Sequence, residues 1–407
     1  MQVYIGIDWS EEKHDIDFMN EAGADLACLC IEHKLEGFVQ FDAARRKLGV
    51  AAQDCVVGLE TAHSLFIDYL WSQDYQNLYV LPPNQVHSNQ GRFRQSGAKD
   101  DRADARLIAD VLRTDRGRLQ RWCPDSLLTR QMRAQLSWVL QLNTQIIRLS
   151  NRLRAMLLRY YPAALEVFSS LTTQIAPEFV RAYPNPQAAR ALSYSEFQAF
   201  ARQHRYPKPK QLPMRYAHLQ DDYPETSPET VLIYQSQAVQ LADLLLQTMR
   251  TRIQNMAQLQ VWYRQHPKYA VFASLPGTGE LIGPALLVKF GDDPQRFSHP
   301  SAVQALAGTS PITRRSGKQK TVRFRSACDK EWRYICQQWA MGLVNQVRSP
   351  IASAYYAKIR PHCHSNEHAY RCVANRWLAV AWKLWQTDQP YDETYHFQQR
   401  ALRSKPH

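Results

Sequence analysis

The stretch Gly97-Ala98-Lys99-Asp100-Asp101-Arg102-Ala103-Asp104-Ala105-Arg106 opens an apolar-periodic run, Leu107-Ile108-Ala109-Asp110-Val111-Leu112, and no other segment constrains the chain as much. The run reads as a helix. Asp101, Asp104, Ile108 and Val111 follow at steps of three, four and three, so two carboxylates share the stripe that must face the interior. Buried carboxylates repel each other and lose hydration unless a cation neutralises them, which points to a metal site. The competing reading is a charged first helical turn, where aspartate suits the helix dipole.

Two upstream segments weigh toward the metal. Val3-Tyr4-Ile5-Gly6-Ile7-Asp8 is a short apolar strand ending in an acid, and Cys55-Val56-Val57-Gly58-Leu59-Glu60 repeats the arrangement. His14-Asp15-Ile16-Asp17-Phe18 alternates as a hairpin partner would, and a third strand-like run covers Leu26 to Ile31. Helices from about Leu35 and from about Ser64 to Trp71, then a strand Leu78-Tyr79-Val80-Leu81 before Pro82-Pro83, complete an α/β pattern in which ligands gather at strand ends. Asp8, Glu60, Asp101 and Asp104 together offer enough oxygen ligands for two Mg²⁺ ions. Such ions, about 4 Å apart, activate a nucleophile and stabilise a leaving oxygen in phosphodiester chemistry. Gly-Ile-Asp after a strand also occurs in sugar-kinase-like ATPases, but no later Gly-rich phosphate loop supports that reading.

With 407 residues, the chain has room for two or three domains. Its net charge of +13 implies a polyanionic partner, and nucleic acid is favoured over membrane because no apolar run approaches the roughly 20 residues that span a bilayer. No charged n-region and apolar h-region mark the start for secretion, so a cytoplasmic, nucleoid-associated location is expected. The eight cysteines form no CxxC pair, which fits reduced thiols.

Leu136, Val139, Leu142, Ile146, Leu149, Leu153 and Met156 are spaced by threes and fours after Met132, as are Ala238, Ala242, Leu245, Met249, Ile253 and Met256. They predict two long amphipathic helices, paired either as a coiled-coil-like oligomerisation arm or within one protomer. Between them, residues 162–228 hold a small helical piece, Ala188 to Phe200, and a connector, Tyr206-Pro207-Lys208-Pro209-Lys210-Gln211-Leu212-Pro213, whose prolines argue for an extended insertion. Further on, Leu275-Pro276-Gly277-Thr278-Gly279 leads into a helix and suits a phosphate grip by Gly277 and Gly279, with a tight turn between helices as the equal alternative. A helix to Leu306 follows, and then a basic run: Arg314, Arg315, Lys318, Lys320, Arg323, Arg325, Lys330 and Arg333. On such a chain this run reads as a phosphate contact. Helices are expected over about Trp332 to Val347, Ile351 to Arg360 and His368 to Trp385. The cluster His362, Cys363, His364, His368 and Cys372 invites a zinc reading but lacks paired loop-separated ligands, and polar surface with two helix-buried cysteines is the alternative.

In this order and spacing, Gly6-Ile7-Asp8, Gly58-Leu59-Glu60, Lys99-x-Asp101-x-x-Asp104-Ala105, Leu275-Pro276-Gly277-x-Gly279, Gly308-x-x-Pro311 and Ser316-Gly317 resemble the DEDD transposases of bacterial insertion sequences, the family of the pilin-gene invertases and bridge-RNA-guided recombinases. The resemblance implies a RuvC-like ribonuclease-H-fold domain (1–125) carrying Asp8, Glu60, Asp101 and Asp104. It further implies coiled-coil helices (126–265) interrupted by the insertion at 162–228, a mainly helical transposase domain (266–387) and a tail (388–407). The second domain would carry a serine nucleophile, Ser316, that forms a covalent phosphoserine, and Ser310 stands nearby as a competitor. Asp100 departs from the family, which often has Thr or Asn there. The implied partners are donor and target DNA, a structured noncoding RNA that directs recombination, and further copies of the chain as a dimer or tetramer. A metal-only RuvC-like junction nuclease and a non-catalytic nucleic-acid scaffold are the competing functions.

Overall fold

A computed structural model describes residues 2–62, 65–81, 86, 101–221, 223–224, 226–317 and 319–403. The chain divides into two units, Met1–Asp125 and Ser126–His407.

The first unit is a mixed sheet of six strands in the order β3-β2-β1-β4-β5-β6: β1 Val3–Trp9, β2 Lys13–Met19, β3 Asp25–Glu32, β4 Cys55–Leu59, β5 Asn77–Val80 and β6 Arg121–Trp122. β1, β2 and β3 are antiparallel neighbours, whereas β4 and β5 run parallel to β1. Side-chain alternation divides the sheet into two faces. Val3, Ile5, Ile7, Cys55, Val57 and Leu59 pack with Phe38, Phe41, Phe66 and Leu70 of the helices Leu35–Lys47 and Leu65–Ser72. Tyr4 and Val56 pack on the other face with Leu107, Ile108, Val111 and Leu112 of the helix Asp101–Asp115. That helix lies so close that a Cβ on Gly6 would meet the Ala105 carbonyl oxygen at 1.9 Å and one on Gly58 would meet Ile108 at 2.8 Å. Only glycine fits at Gly6.

In the second unit the long helices Leu127–Tyr160 and Pro228–Gln265 pack against each other within one protomer, Gln135 donating to Asn255 and Arg252 to Asn143. Ile253 falls on the solvent side of this seam, because the stripe from Met249 to Met256 turns through Arg252, and Leu149 and Met156 sit at its edge beside buried Ser150 and Leu157. Residues 162–228 are not an extended insertion. They fold into helices Ala164–Val167, Ile175–Ala182, Pro186–Arg190, Tyr194–Gln203 and Leu212–Ala217 around Phe168, Phe179, Phe197 and Phe200. Pro186, Pro209 and Pro213 sit in first turns, where the missing N–H costs nothing, and a capping box of Ser193 and Glu196 splits the expected Ala188 to Phe200 helix in two.

A tryptophan-rich core of Trp332, Trp339, Trp377 and Trp385 gathers the helices Gly279–Phe290, Lys330–Met341, Pro350–Ile359 and Asn366–Thr387. Indole N–H groups of Trp339 and Trp385 donate to the carbonyls of Pro276 and Gly291 at 2.8 and 2.9 Å, so these rings bury without stranding a donor. At the base of the long helices Asp292 accepts from Ser126 N at 2.6 Å and Thr129 Oγ1 at 2.7 Å, with His266 Nε2 at 3.1 Å. Burial would raise the Asp292 carboxyl, but these hydrogen bonds, His266 foremost, hold it well below the usual range. Among the described residues no helix is long and apolar enough to cross a membrane.

Candidate functional site

Ile7 pairs with Leu59 in the parallel register of β1 and β4, so Asp8 and Glu60 come next at neighbouring strand ends. Gly6 and Gly58 face the helix Asp101–Asp115, and alternation therefore turns Asp8 and Glu60 toward that helix as well. The helix runs against β1. Arg113, near the helix end, lies against Gly23 in the turn that follows Met19, which pairs with Tyr4, while Gly6 meets Ala105 and Ala109, so the helix start carrying Asp101 and Asp104 lies toward the Asp8 end. Asp8, Glu60 and Asp104 are half-buried. The backbone of Asp101 begins the helix, but its side chain, like Asp100 and Lys99, lies outside the described residues.

One acid near the site carries no signal in the sequence that marks it as a candidate. Asp15 stands directly opposite Asp8 in the β1–β2 register and is 7% exposed, and Asp17, 2% exposed, follows on the same face. His14, Ile16 and Phe18 alternate with the two aspartates; what that pattern cannot say is that a helix covers the aspartate face. Like charges directly opposite are destabilising. Burial pushes the Asp17 carboxyl up against the lowering effect of Cys28, whose thiol donates to Oδ1 at 3.0 Å and is itself pushed up to about 11 by burial and by Asp17.

The basic run forms a two-stranded hairpin, β7 Ile312–Ser316 and β8 Gln319–Arg323, which the sequence pattern does not predict. Ser316 pairs with Gln319 across a two-residue turn, and Gly317 takes φ +55°, the left-handed conformation such turns require. Ser316, Arg314, Arg315, Lys320 and Arg323 are exposed; Lys318 lies outside the described residues. Arg315 faces Lys320 directly, while Ser316 and Arg314 share the opposite face. Arg325 turns back instead, donating from Nε to the Ser310 carbonyl at 3.2 Å, which places Ser310 at the hairpin root, roughly 13 Å of strand below the tip. Phe324 anchors the root between the guanidiniums of Arg333 and Arg371, 4.6 and 4.7 Å from its ring. Gly277 and Gly279 lie elsewhere, in the turn between helices Tyr269–Ala273 and Gly279–Phe290, where Gly277 packs on Leu343 at φ +73° and Gly279 is exposed.

A carboxylate cluster at the strand ends of an α/β unit, with a separate helical unit bearing an exposed basic hairpin, fits the insertion-sequence transposases. Residues 5–162 match the DEDD IS110 transposase family, and residues 269–357 match the family described as transposase IS116/IS110/IS902. The chain is 28% identical over 98% of its length to a Streptomyces coelicolor protein whose name gives it as the candidate mini-circle transposase for IS117, covering 97% of that protein. It is 22% identical to the uncharacterized 42 kDa protein of insertion element IS900 from Mycobacterium paratuberculosis, over 94% of this chain and 95% of that one. It is also 23% identical to the uncharacterized 44.8 kDa protein of IS116 from Streptomyces clavuligerus, over 94% of each. The chain belongs to the IS110-type DEDD transposase family.

Proposed function

We propose that this transposase cuts and rejoins DNA with a ribonuclease-H-like carboxylate centre in its first unit and a serine nucleophile in its second. The observation that carries this is the convergence of Asp8 and Glu60, at neighbouring strand ends, on the face covered by the helix that begins with Asp101 and Asp104. The antiparallel β3-β2-β1 flanked by parallel β4 and β5 supports the RuvC-like reading. The donors are all carboxylate oxygens, with Asp15 facing Asp8, and they suit a hard divalent cation such as Mg²⁺, as one ion or two. Bound there, Mg²⁺ would offset charge on the scissile phosphate and favour deprotonation of an attacking oxygen. Asp8, Glu60, Asp101 and Asp104 would hold it, while the packing of Gly6 on Ala105 fixes the helix that presents the aspartates.

In the second unit Ser316 Oγ attacks phosphorus: the Oγ–P bond forms, the bond to the leaving deoxyribose oxygen breaks, and that oxygen takes up a proton as the serine gives one up. Arg314 beside it on the same hairpin face stabilises the charge that builds on the phosphate. Arg315 opposite Lys320, in an exposed two-stranded hairpin with no acid between Ser310 and Cys328, is a costly arrangement that a polyanion relieves. Donor and target DNA are the proposed substrates; a structured RNA guide and a homo-oligomeric assembly in the cytoplasm are proposed on the family resemblance. Incubating the protein with its copurified RNA and DNA bearing the element's ends tests the reading. Strand cutting with Mg²⁺ and none in EDTA is expected; cutting undiminished by EDTA would overturn it.

A further inference from the structure

The helix Asn366–Thr387 starts at Ser365, whose hydroxyl accepts from His368 N at 3.2 Å. His368 and Cys372 are four residues apart on it and so share a face. Cys363 arrives from the preceding turn, where Arg360 fixes it twice: Cys363 N donates to the Arg360 carbonyl at 3.1 Å, and Arg360 Nη1 donates to the Cys363 carbonyl at 3.1 Å. Arg360 Nε also donates to Asn366 Oδ1 at 2.6 Å, tying the turn to the helix start. The outcome is that a ring nitrogen of His368 and the sulfurs of Cys363 and Cys372 all lie within 4.8 Å of one another, each residue half-buried. His364 stacks beside His368 with ring centroids 6.1 Å apart. The sequence alone weighs against zinc because no paired motif separates the ligands, and it suggests two helix-buried cysteines; only Cys372 is on a helix, and the turn supplies the other sulfur.

We propose that Cys363, His368 and Cys372 form a structural zinc site, independent of the carboxylate centre, with a fourth position open to His364 or solvent. Two thiolates and an imidazole are the donors that Zn²⁺ prefers. Tetrahedral coordination with Zn–S of about 2.3 Å and Zn–N of about 2.0 Å holds such atoms roughly 3.5–3.8 Å apart, inside the 4.8 Å within which these three lie. Metal binding would release the thiol protons. The site would pin the turn to the helix start one residue from Arg371, whose guanidinium lies over Phe324 at the root of the Ser316 hairpin. Its role is then to stiffen the support of that hairpin.

The test uses full-length protein under reducing conditions with Co²⁺ and Zn²⁺ as probes. Cobalt should give tetrahedral d–d bands in the visible and a thiolate charge-transfer band in the near ultraviolet, which a carboxylate centre cannot produce. Cys363→Ser and Cys372→Ser should each weaken the thiolate band and lower affinity more than about tenfold, and Cys123→Ser should leave both unchanged. In the unaltered protein, Zn²⁺ should slow alkylation of Cys363 and Cys372, mapped by mass spectrometry, while the exposed Cys28 and Cys30 react as before. Absence of a thiolate band, or alkylation of Cys363 and Cys372 at the same rate with and without Zn²⁺, would overturn the proposal.

Discussion

The carboxylate cluster and the Ser316 hairpin hold their proposed reactive groups in opposite ways. At Gly6 a methyl group would collide with the Ala105 carbonyl, whereas one on Gly317 would meet nothing within 4 Å among the described residues beyond its chain neighbours. Asp8, Glu60 and Asp104 are held by crowding: two strands in fixed register under a helix seated on glycine. Ser316 is held by one turn and a cation-flanked Phe324 root. A centre that binds a metal needs its like charges fixed before the ion arrives, because they would otherwise spread apart. An exposed hairpin rich in cations would gain contacts from the polyanion proposed to bind it.

The largest effect separating the two regions should come from Asp8→Asn or Glu60→Gln. Either should lower Mg²⁺-dependent cleavage more than about a hundredfold and leave DNA binding in EDTA unchanged. Cleavage within about tenfold of normal would remove the residue from the centre. Gly6→Ala comes next: overpacking against backbone should destabilise the first unit by about 3 kcal/mol in urea unfolding of the full chain, with cleavage lost as the helix is displaced.

A pH experiment probes the other face of the same sheet. His14, fully buried and sharing a 2.8 Å ring-nitrogen contact with His33, has its pKa lowered to about 4 by burial and then by that neighbour. The folded state therefore keeps His14 neutral where the unfolded chain would protonate it. Stability should fall as pH drops from about 6.5 toward 4, by at most roughly 3 kcal/mol from this group. His14→Phe should remove that part of the pH dependence, and an unchanged profile would show that another group sets it.

Smaller effects belong to the hairpin. Arg314→Glu with Arg323→Glu should flatten the salt dependence of DNA binding by about one unit of log–log slope for each phosphate no longer neutralised, with stability changed by less than about 0.5 kcal/mol. An unchanged slope would make the hairpin a solvated face. Smallest of all, Gly317→Ala should cost only about 1 kcal/mol, the strain of a left-handed alanine. A cost matching that of Gly6→Ala would erase the contrast between the two regions.

The strands of the first unit are legible because burial on both faces writes itself as apolar runs ending in Asp8 and Glu60, and the long helices because a shared seam imposes steps of three and four. Asp15 is not, since strand alternation shows that two faces differ without showing what covers each. The hairpin is hidden because its strands are exposed and carry Arg and Lys where an apolar face would signal a sheet. Residues 162–228 mislead because a proline that opens a helix looks the same in sequence as one that prevents it. His368 and Cys372 are legible as a helical pair, but Cys363 joins them only through the turn that Arg360 holds.

The most direct test of the account is recovery of the protein covalently bound to DNA after denaturation, with the linkage mapped by mass spectrometry. The expected result is an adduct on Ser316 that Ser310→Ala retains and Ser316→Ala loses while still binding DNA. An adduct that survives Ser316→Ala, or DNA cut by the unaltered protein with no adduct at any stage, would contradict it, and the second result would favour a nuclease that works through its carboxylates alone.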